Sequence, residues 1–250
     1  HEPGTPAFFR IYDAMRRQNE PDAFVEEMLS PAHFAGNKVL DVGCGNGYIL
    51  SKFAMAGAEA HGIDLTGAAL DLTRKRIRSA GLRAELLQAD SARLPFADSS
   101  FDLVYSLGVL HHSPRTHESF REIHRVLRPG GKAVIMIYNR NSVLFRLRIP
   151  AMKYLNPRFR GWSIQELCNY LDGPGNPLGK FFSRKEITLM MDGFRDLRFR
   201  PYFFSHLHFP GKPDIFPEGL CQWIGRRFGW FLYVSAYKEG ASPCAASPAS

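Results

Sequence analysis

The 250-residue chain is poor in cysteine, and none of its four cysteines forms a CxxC pair. Cys44, Cys168, Cys221 and Cys244 stand far apart, and no histidines cluster at metal-ligand spacing. A disulfide framework or zinc module is therefore not the organising principle, and no metal is expected. Sparse, unpaired cysteines fit a reduced, cytoplasmic setting. No apolar run approaches the length of a membrane span, so stable membrane insertion is not expected. Neither a signal peptide nor an internal repeat is visible. Nothing in the composition sets an oligomeric state.

What the chain does have is apolar bulk and an uneven charge. Hydrophobic residues make up 45%, enough for a large core in one α/β domain with an elaboration. The net charge is +8. Residues 1–139 hold sixteen Lys and Arg against sixteen Asp and Glu, whereas residues 140–240 hold sixteen against eight. The basic surplus thus belongs to the C-terminal part. It favours an anionic partner, whether a phosphorylated or carboxylated small molecule, nucleic acid or a membrane surface, unless it is only a solvated face.

Local patterns divide the chain further. Thr5-Pro6 reads as a helix cap with proline at the first helical position. Phe8, Ile11, Tyr12 and Met15 then share one helical face. A second helix is expected at 21–29. An alternation follows: strand 38–42, helix 48–56, strand 59–64, helix 68–80, strands 84–90 and 101–106, helix 118–127 and strand 132–138. Such alternation predicts a parallel sheet with helices on both faces. Prolines and glycines break the pattern over 139–180, which reads as an inserted cap of short helices and loops. Ser183 with Glu186 makes a capping box for a helix to about 191. Strands are expected at 196–204 and 228–237, paired as a hairpin at the sheet edge. The predicted units are a helical lid at 1–35, a ligand-binding core at 36–138, the cap at 139–180, completion of the sheet at 181–239, and a disordered tail at 240–250.

The strongest chemical signal is Asp41-Val42-Gly43-Cys44-Gly45-Asn46-Gly47, between a strand and a helix. Glycines let a ligand approach the backbone without a Cβ in the way, and the helix start offers N–H groups. The spacing is GxGxG. The nicotinamide dinucleotide fingerprint GxGxxG wants its third glycine where Tyr48 stands. Asp41, two residues before the first glycine, suits a cationic amino-acid group and would repel a pyrophosphate. Asp64 ends the next strand, with Leu65 after it, where a carboxylate accepts both ribose hydroxyls. Asp90 ends the third, where it can accept from an adenine amine while the backbone of Ser91 and Ala92 faces the ring. Either acid alone could cap a helix. Three acids at successive strand ends beside a glycine loop make a nucleoside site the better reading.

In these motifs the chain resembles class I methyltransferases, in the branch that includes ubiquinone and menaquinone methyltransferases. The resemblance covers about residues 36–138. It continues through Ala89-Asp90, Leu94-Pro95-Phe96, Phe101-Asp102-Leu103-Val104-Tyr105-Ser106, Val109-Leu110-His111-His112 and Arg125-Val126-Leu127-Arg128-Pro129-Gly130-Gly131. It implies a Rossmann-like, seven-stranded, mostly parallel sheet with the last strand antiparallel. It also implies S-adenosylmethionine as cofactor and S-adenosylhomocysteine as product. Asp41, Gly43, Cys44, Gly45, Asn46 and Gly47 would surround the methionine part, Asp64 and Leu65 the ribose, and Asp90, Ser91 and Ala92 the adenine. Ser106 and Leu107 would lie beside the sulfonium.

His111-His112 follow the fourth core strand, where acceptor would meet methyl group. A histidine there can take a proton from a phenol, amine or thiol, or can simply pack against the following turn. Tyr12, Tyr138, Lys180 and Arg184 are the candidate acceptor contacts, with Lys180, Arg184 and Lys185 as an anion-facing cluster. The aromatic and arginine-rich C-terminal part suits a small, flat or lipophilic acceptor carrying an anionic group. Nucleic acid is not expected: adenine amine methylation goes with a polar-Pro-Pro-aromatic signature, and here Ser106-Leu107-Gly108-Val109 occupies that place. A nicotinamide oxidoreductase is opposed by the glycine spacing and by Asp41.

Overall fold

A computed structural model describes residues 2–173, 178–204 and 217–240. The expected tail falls almost wholly outside the described residues. The chain opens with α1 (Pro6–Asn19) and α2 (Asp22–Leu29). Core elements follow: β1 (Lys38–Val42), α3 (Tyr48–Met55), β2 (Glu59–Asp64), α4 (Gly67–Ser79), β3 (Glu85–Gln88), β4 (Phe101–Leu107), α5 (Thr116–Val126) and β5 (Leu127–Asn139). The inserted stretch supplies α6 (Ile149–Leu155) and α7 (Ile164–Asp172). Then come β6 (Phe181–Phe182), α8 (Arg184–Met190), β7 (Phe194–Tyr202), α9 (Glu218–Phe228) and β8 (Phe231–Lys238).

The strands form one sheet in the order β3-β2-β1-β4-β5-β8-β7, with β6 beside β5. Among the described residues β8 pairs antiparallel with both β5 and β7, and the other pairings are parallel. The doubly wound expectation therefore holds, including the antiparallel last strand. Near-continuous burial of β1, β4 and β5 follows from helices on both faces. One face packs Leu40, Val104, Ile135 and Val234 under α5 and α8. The other packs Val39, Leu103, Val134 and Tyr233 under α2 and α3.

Three expectations need correction. The sheet has eight strands rather than seven. The extra one, β6, is two phenylalanines that return from the inserted stretch and bury beside Tyr138 and Asn139. Second, the packed face of α1 is not Phe8, Ile11, Tyr12 and Met15, because Ile11 and Met15 are 47% and 61% exposed. The helix instead turns Phe9 inward, and its polar residues Asp13 and Arg16 find partners there. The Thr5 cap is as expected, accepting from the N–H of Phe8 at 3.2 Å. Third, α9 stands ahead of β8, so the last strand begins at Phe231. Its inward residue is Gly225, against the backbone of Phe203 and Phe204, while Leu220, Trp223 and Phe228 stay exposed. A helix buried through a glycine leaves no apolar stripe to read.

Candidate active site

The loop after β1 is shaped by backbone geometry. Gly43 and Gly45 have φ of 87° and 56°, in the left-handed region that glycine tolerates at low cost. A Cβ on Gly43 would come within 2.3 Å of the Val109 side chain, so this glycine lets the β4 loop close over β1. A Cβ on Gly45 would meet no protein atom within 4 Å. Gly45 is thus where the loop borders open space. The N–H groups of Gly43 and Cys44 both donate to the Ile63 carbonyl, at 2.8 and 2.9 Å, which ties the loop to the end of β2.

Asp41, Gly43, Cys44 and Asn46 line a small cavity of about 80 Å³ with Tyr12, Arg16, Tyr48, Tyr105 and Leu107. Asp41 is 5% exposed, and burial pushes its carboxyl up to about 7; a hydrogen bond from the Tyr105 hydroxyl and the charge of Arg16 oppose the shift, and Asp64 adds to it. Arg16 Nε is buried without a hydrogen-bond partner among the described residues, while Nη2 of the same guanidinium pairs with Glu20 at 2.7 Å. A carboxylate and an orphaned guanidinium N–H around one cavity fit the ammonium and carboxylate of an amino acid. The volume suits that end of S-adenosylmethionine, and the nucleoside would lie outside, along Asp64 and Asp90.

Asp64 is already oriented for such a role. One oxygen accepts from Gly45 N–H at 3.0 Å; the other accepts from the Thr66 N–H and hydroxyl at 2.9 and 3.0 Å. The Gly45-bound oxygen keeps a lone pair for a ribose hydroxyl, and the other gains one when the Thr66 hydroxyl turns away. Leu65 is 67% exposed beside it. Asp90 differs. It accepts from the Ala92 N–H at 2.8 Å and from Arg115 at 2.6 Å, and these two hold its carboxyl below the usual range. The Ala92 N–H is therefore engaged within the turn. The Ser91 hydroxyl turns to Ser119, at 2.8 Å.

Two sequence candidates have structural duties. Ser106 is fully buried and its hydroxyl donates to the Val42 carbonyl at 2.8 Å, pinning β4 to β1. Cys44 is buried, and burial pushes its thiol well above the usual range. Its contribution is its backbone.

The two histidines separate. His111 is fully buried, both ring nitrogens lack a partner, and it stacks on Tyr138 with centroids 3.8 Å apart. Burial, then His112 and Lys180, hold it well below the usual histidine range, so it stays neutral and out of reach of an acceptor. His112 is 23% exposed at its side chain, with Nδ1 2.7 Å from the Leu178 carbonyl and 3.2 Å from Asp172. Tyr138 donates to the other Asp172 oxygen at 2.5 Å. Lys180 extends toward the Pro114 carbonyl at 3.5 Å, and Arg184 lies over the Phe199 ring. Lys180 and Arg184 thus face different neighbours.

Sequence reading missed Arg16, Tyr105, Arg76, Arg115 and Asp172. Arg76 donates to the Asn46 carbonyl at 2.8 Å and grips Asp13 of α1 through both terminal nitrogens, at 3.0 and 2.8 Å. It thereby ties the N-terminal helix to the glycine loop. Only Arg16 had a local signal, one turn beyond Tyr12. A larger hollow of about 440 Å³ lies at the opposite end of the sheet, lined by His33, Asp102, Arg128 and Lys132 among others. Its carboxylate already accepts from the Lys38 N–H and from Arg128.

Comparison with known proteins bears on this geometry. Residues 40–135 match the family model described as a methyltransferase domain. The methyltransferase GfsG of Streptomyces halstedii is 42% identical over 104 residues, which are 40% of this chain and 37% of that protein. A ubiquinone biosynthesis O-methyltransferase of Pseudomonas putida is 34% identical over 125 residues, 50% of this chain and 54% of that protein. The chain thus spans about half, or less, of the length of these relatives. A solved structure from Thermotoga maritima, described as a methyltransferase dependent on S-adenosylmethionine and a possible histamine N-methyltransferase, superposes with a TM-score of 0.57. It covers 93% of this chain and 97% of that one at 19% identity, a likeness of fold.

Proposed function

We propose that this chain is a class I methyltransferase that uses S-adenosylmethionine and methylates an oxygen of a small, anionic aromatic or lipophilic molecule. The observation that carries the cofactor side is the cavity that Asp41 shares with Tyr105 and with Arg16, whose Nε is unpartnered among the described residues. Oxygen as acceptor rests on the name of the Pseudomonas putida relative. The preference for an anion rests on the basic surplus after residue 139.

The cofactor supplies a methyl group activated by a positive sulfur. This chain's residues bind, align and exclude water. Asp41, steadied by the Tyr105 hydroxyl, takes the ammonium end, Arg16 the carboxylate end, Asp64 the ribose hydroxyls and Asp90 the adenine amine. Leu107, which follows Ser106 at the end of β4, gives the reacting carbon an apolar wall. In-line alignment in a water-poor pocket contributes much of the acceleration for such a displacement. Tyr12 on α1 and Tyr138 at the end of β5 border the acceptor, with Lys180 as the cation on that side.

Calorimetric titration with S-adenosylmethionine, S-adenosylhomocysteine and NADH tests the cofactor side. Micromolar binding of both sulfur compounds with NADH silent is expected; binding of NADH alone overturns the reading. Release of S-adenosylhomocysteine is then followed over a panel of phenols, catechols, amines and thiols, carboxylated and neutral. Turnover confined to amines would remove oxygen as the acceptor. Lys180→Ala is expected to raise KM for a carboxylated acceptor while cofactor affinity stays put.

A further inference from the structure

The side chains around His112 are arranged for proton transfer, and no local sequence pattern announces them. His112 sits in a short turn, Leu110–His112, directly after the loop 107–109. Val109 of that loop packs on Gly43, and Leu107 lines the cavity with Asp41. The turn therefore lies at the C-terminal ends of β4 and β5, beside the glycine loop. Open α/β sheets bind ligands at these ends.

Hydrogen bonding sets the tautomer. Nδ1 of His112 is 2.7 Å from the Leu178 carbonyl oxygen, which can only accept. Nδ1 therefore carries the proton. Nε2 holds the lone pair and makes no hydrogen bond among the described residues. Asp172 Oδ2 lies 3.2 Å from the same Nδ1, and its side chain is only 3% exposed. That oxygen has no well-formed hydrogen bond of its own. Its other oxygen receives the Tyr138 hydroxyl. A buried carboxylate so placed gains most when the imidazole beside it is positive. Among the described residues His111 is coupled to His112 and to Lys180, Cys168 to Asp172, and Glu118 to Lys180.

We infer that His112 Nε2 is the base that takes the acceptor's proton, that the Leu178 carbonyl fixes its tautomer, and that Asp172, held by Tyr138, is a positioning residue that stabilises its protonated form. This rests on the transferase reading above. The acceptor O–H gives its proton to Nε2 while its oxygen bonds the methyl carbon; the C–S bond breaks with its electron pair left on sulfur. His112 then returns the proton to solvent. The acceptor class follows: hydroxyls that need deprotonation, phenols and catechols first.

The test needs no acceptor. In ¹⁵N-labelled protein, long-range ¹H–¹⁵N spectra assign the His112 tautomer, expected as Nδ1–H with Nε2 bare. In Asp172→Asn the Leu178 carbonyl still holds the proton on Nδ1, so the tautomer is expected to stay, while the pH at which Nε2 takes up its proton, read in the same spectra, is expected to fall. Tyr138→Phe, which leaves the Asp172 charge in place, serves as the second variant and is expected to move that pH less. Calorimetry with S-adenosylmethionine runs alongside, expected to change less than threefold in both variants. A wild-type Nε2–H, or an Asp172→Asn pH titration of the His112 signals identical to wild type in folded protein, overturns the assignment. Absence of S-adenosylmethionine binding in wild type, with the tautomer as stated, would instead sink the transferase reading, and with it the role of Nε2 as base.

Discussion

The ends of β1, β2 and β3 and the ends of β4 and β5 are built differently, and we assign them different work. The first three present Asp41, Asp64 and Asp90, and the last two of these acids accept from the turns that follow them. Asp64 is held by Thr66, and Asp90 by Ala92. The second pair is assembled from afar. His112 meets Leu178 across 66 positions, and Tyr138 meets Asp172 across 34. A cofactor used throughout a family can be bound by short motifs on one scaffold, whereas an acceptor particular to one enzyme needs its own inserted segment. The comparison breaks if a cofactor-side substitution leaves affinity for S-adenosylmethionine intact, or if an acceptor-side one destroys it.

The largest effect is expected at Asp41. Asp41→Asn keeps the shape and removes the charge opposite an ammonium in a buried cavity. Breaking such a pair from one side typically costs about 3–5 kcal/mol, so affinity for S-adenosylmethionine should fall at least ~100-fold. Calorimetry reads it directly; a loss under tenfold would show that the ammonium lies elsewhere.

Protonation of Asp41 gives the next effect. Burial holds the free carboxyl near 7, and only the carboxylate pairs with an ammonium. Affinity should be full above about pH 7 and fall roughly tenfold per unit below it, about 1.4 kcal/mol each. The stability of the unliganded chain runs the other way. The folded state keeps a proton that the unfolded state has lost between about pH 4 and 7. This group's contribution therefore fades as pH rises through that window. Opposite slopes for affinity and for the ligand-free melting temperature, both flattened by Asp41→Asn, are the expected signature. Parallel slopes would place the responsible group elsewhere.

Asp64→Ala should weaken cofactor binding about tenfold, ~1.4 kcal/mol, through loss of a bidentate acceptor. Asp64 also holds the Gly45 N–H, so the glycine loop loosens in the variant. Adenosine, which lacks the amino-acid end, should lose as much affinity as S-adenosylmethionine. Unchanged binding of adenosine in a folded variant would move the ribose away from Asp64.

Most of the sheet and the whole glycine loop were readable because their causes are local. Alternating apolar runs, the Thr5 cap, the Ser183 capping box and the turn glycines act over a handful of residues. What escaped was set by distant partners or by absent side chains. The packed face of α1 is chosen by Arg76, sixty-three residues from Asp13, and a carboxylate on a helix does not announce a guanidinium. Helix α9 buries Gly225, which no hydrophobic period reports. The duty of Ser106 is likewise invisible, because a hydroxyl that bonds a neighbouring strand reads the same as one that faces a ligand. Asp172 lies at the end of a helix in the insertion, where nothing nearby marks it as His112's partner.

The smallest effect sharpens the comparison from within the cofactor half. Asp90 is the third acid of the set, yet it accepts from Arg115 rather than standing open. Both side chains of that pair are substantially exposed, at 38% and 55%, so it contributes about 0–1 kcal/mol. An adenine amine competing for the same carboxylate would therefore meet little resistance. Arg115→Ala should leave the affinity for S-adenosylhomocysteine within about threefold of wild type, on the tighter side, because the acceptor is released. The variant also separates two roles for Arg115. If affinity instead falls tenfold, Arg115 touches the cofactor itself, and the adenine is held by a cation from the β4–α5 turn rather than by the third acid. The division between a cofactor half built locally and an acceptor half built at long range would then shift by one strand.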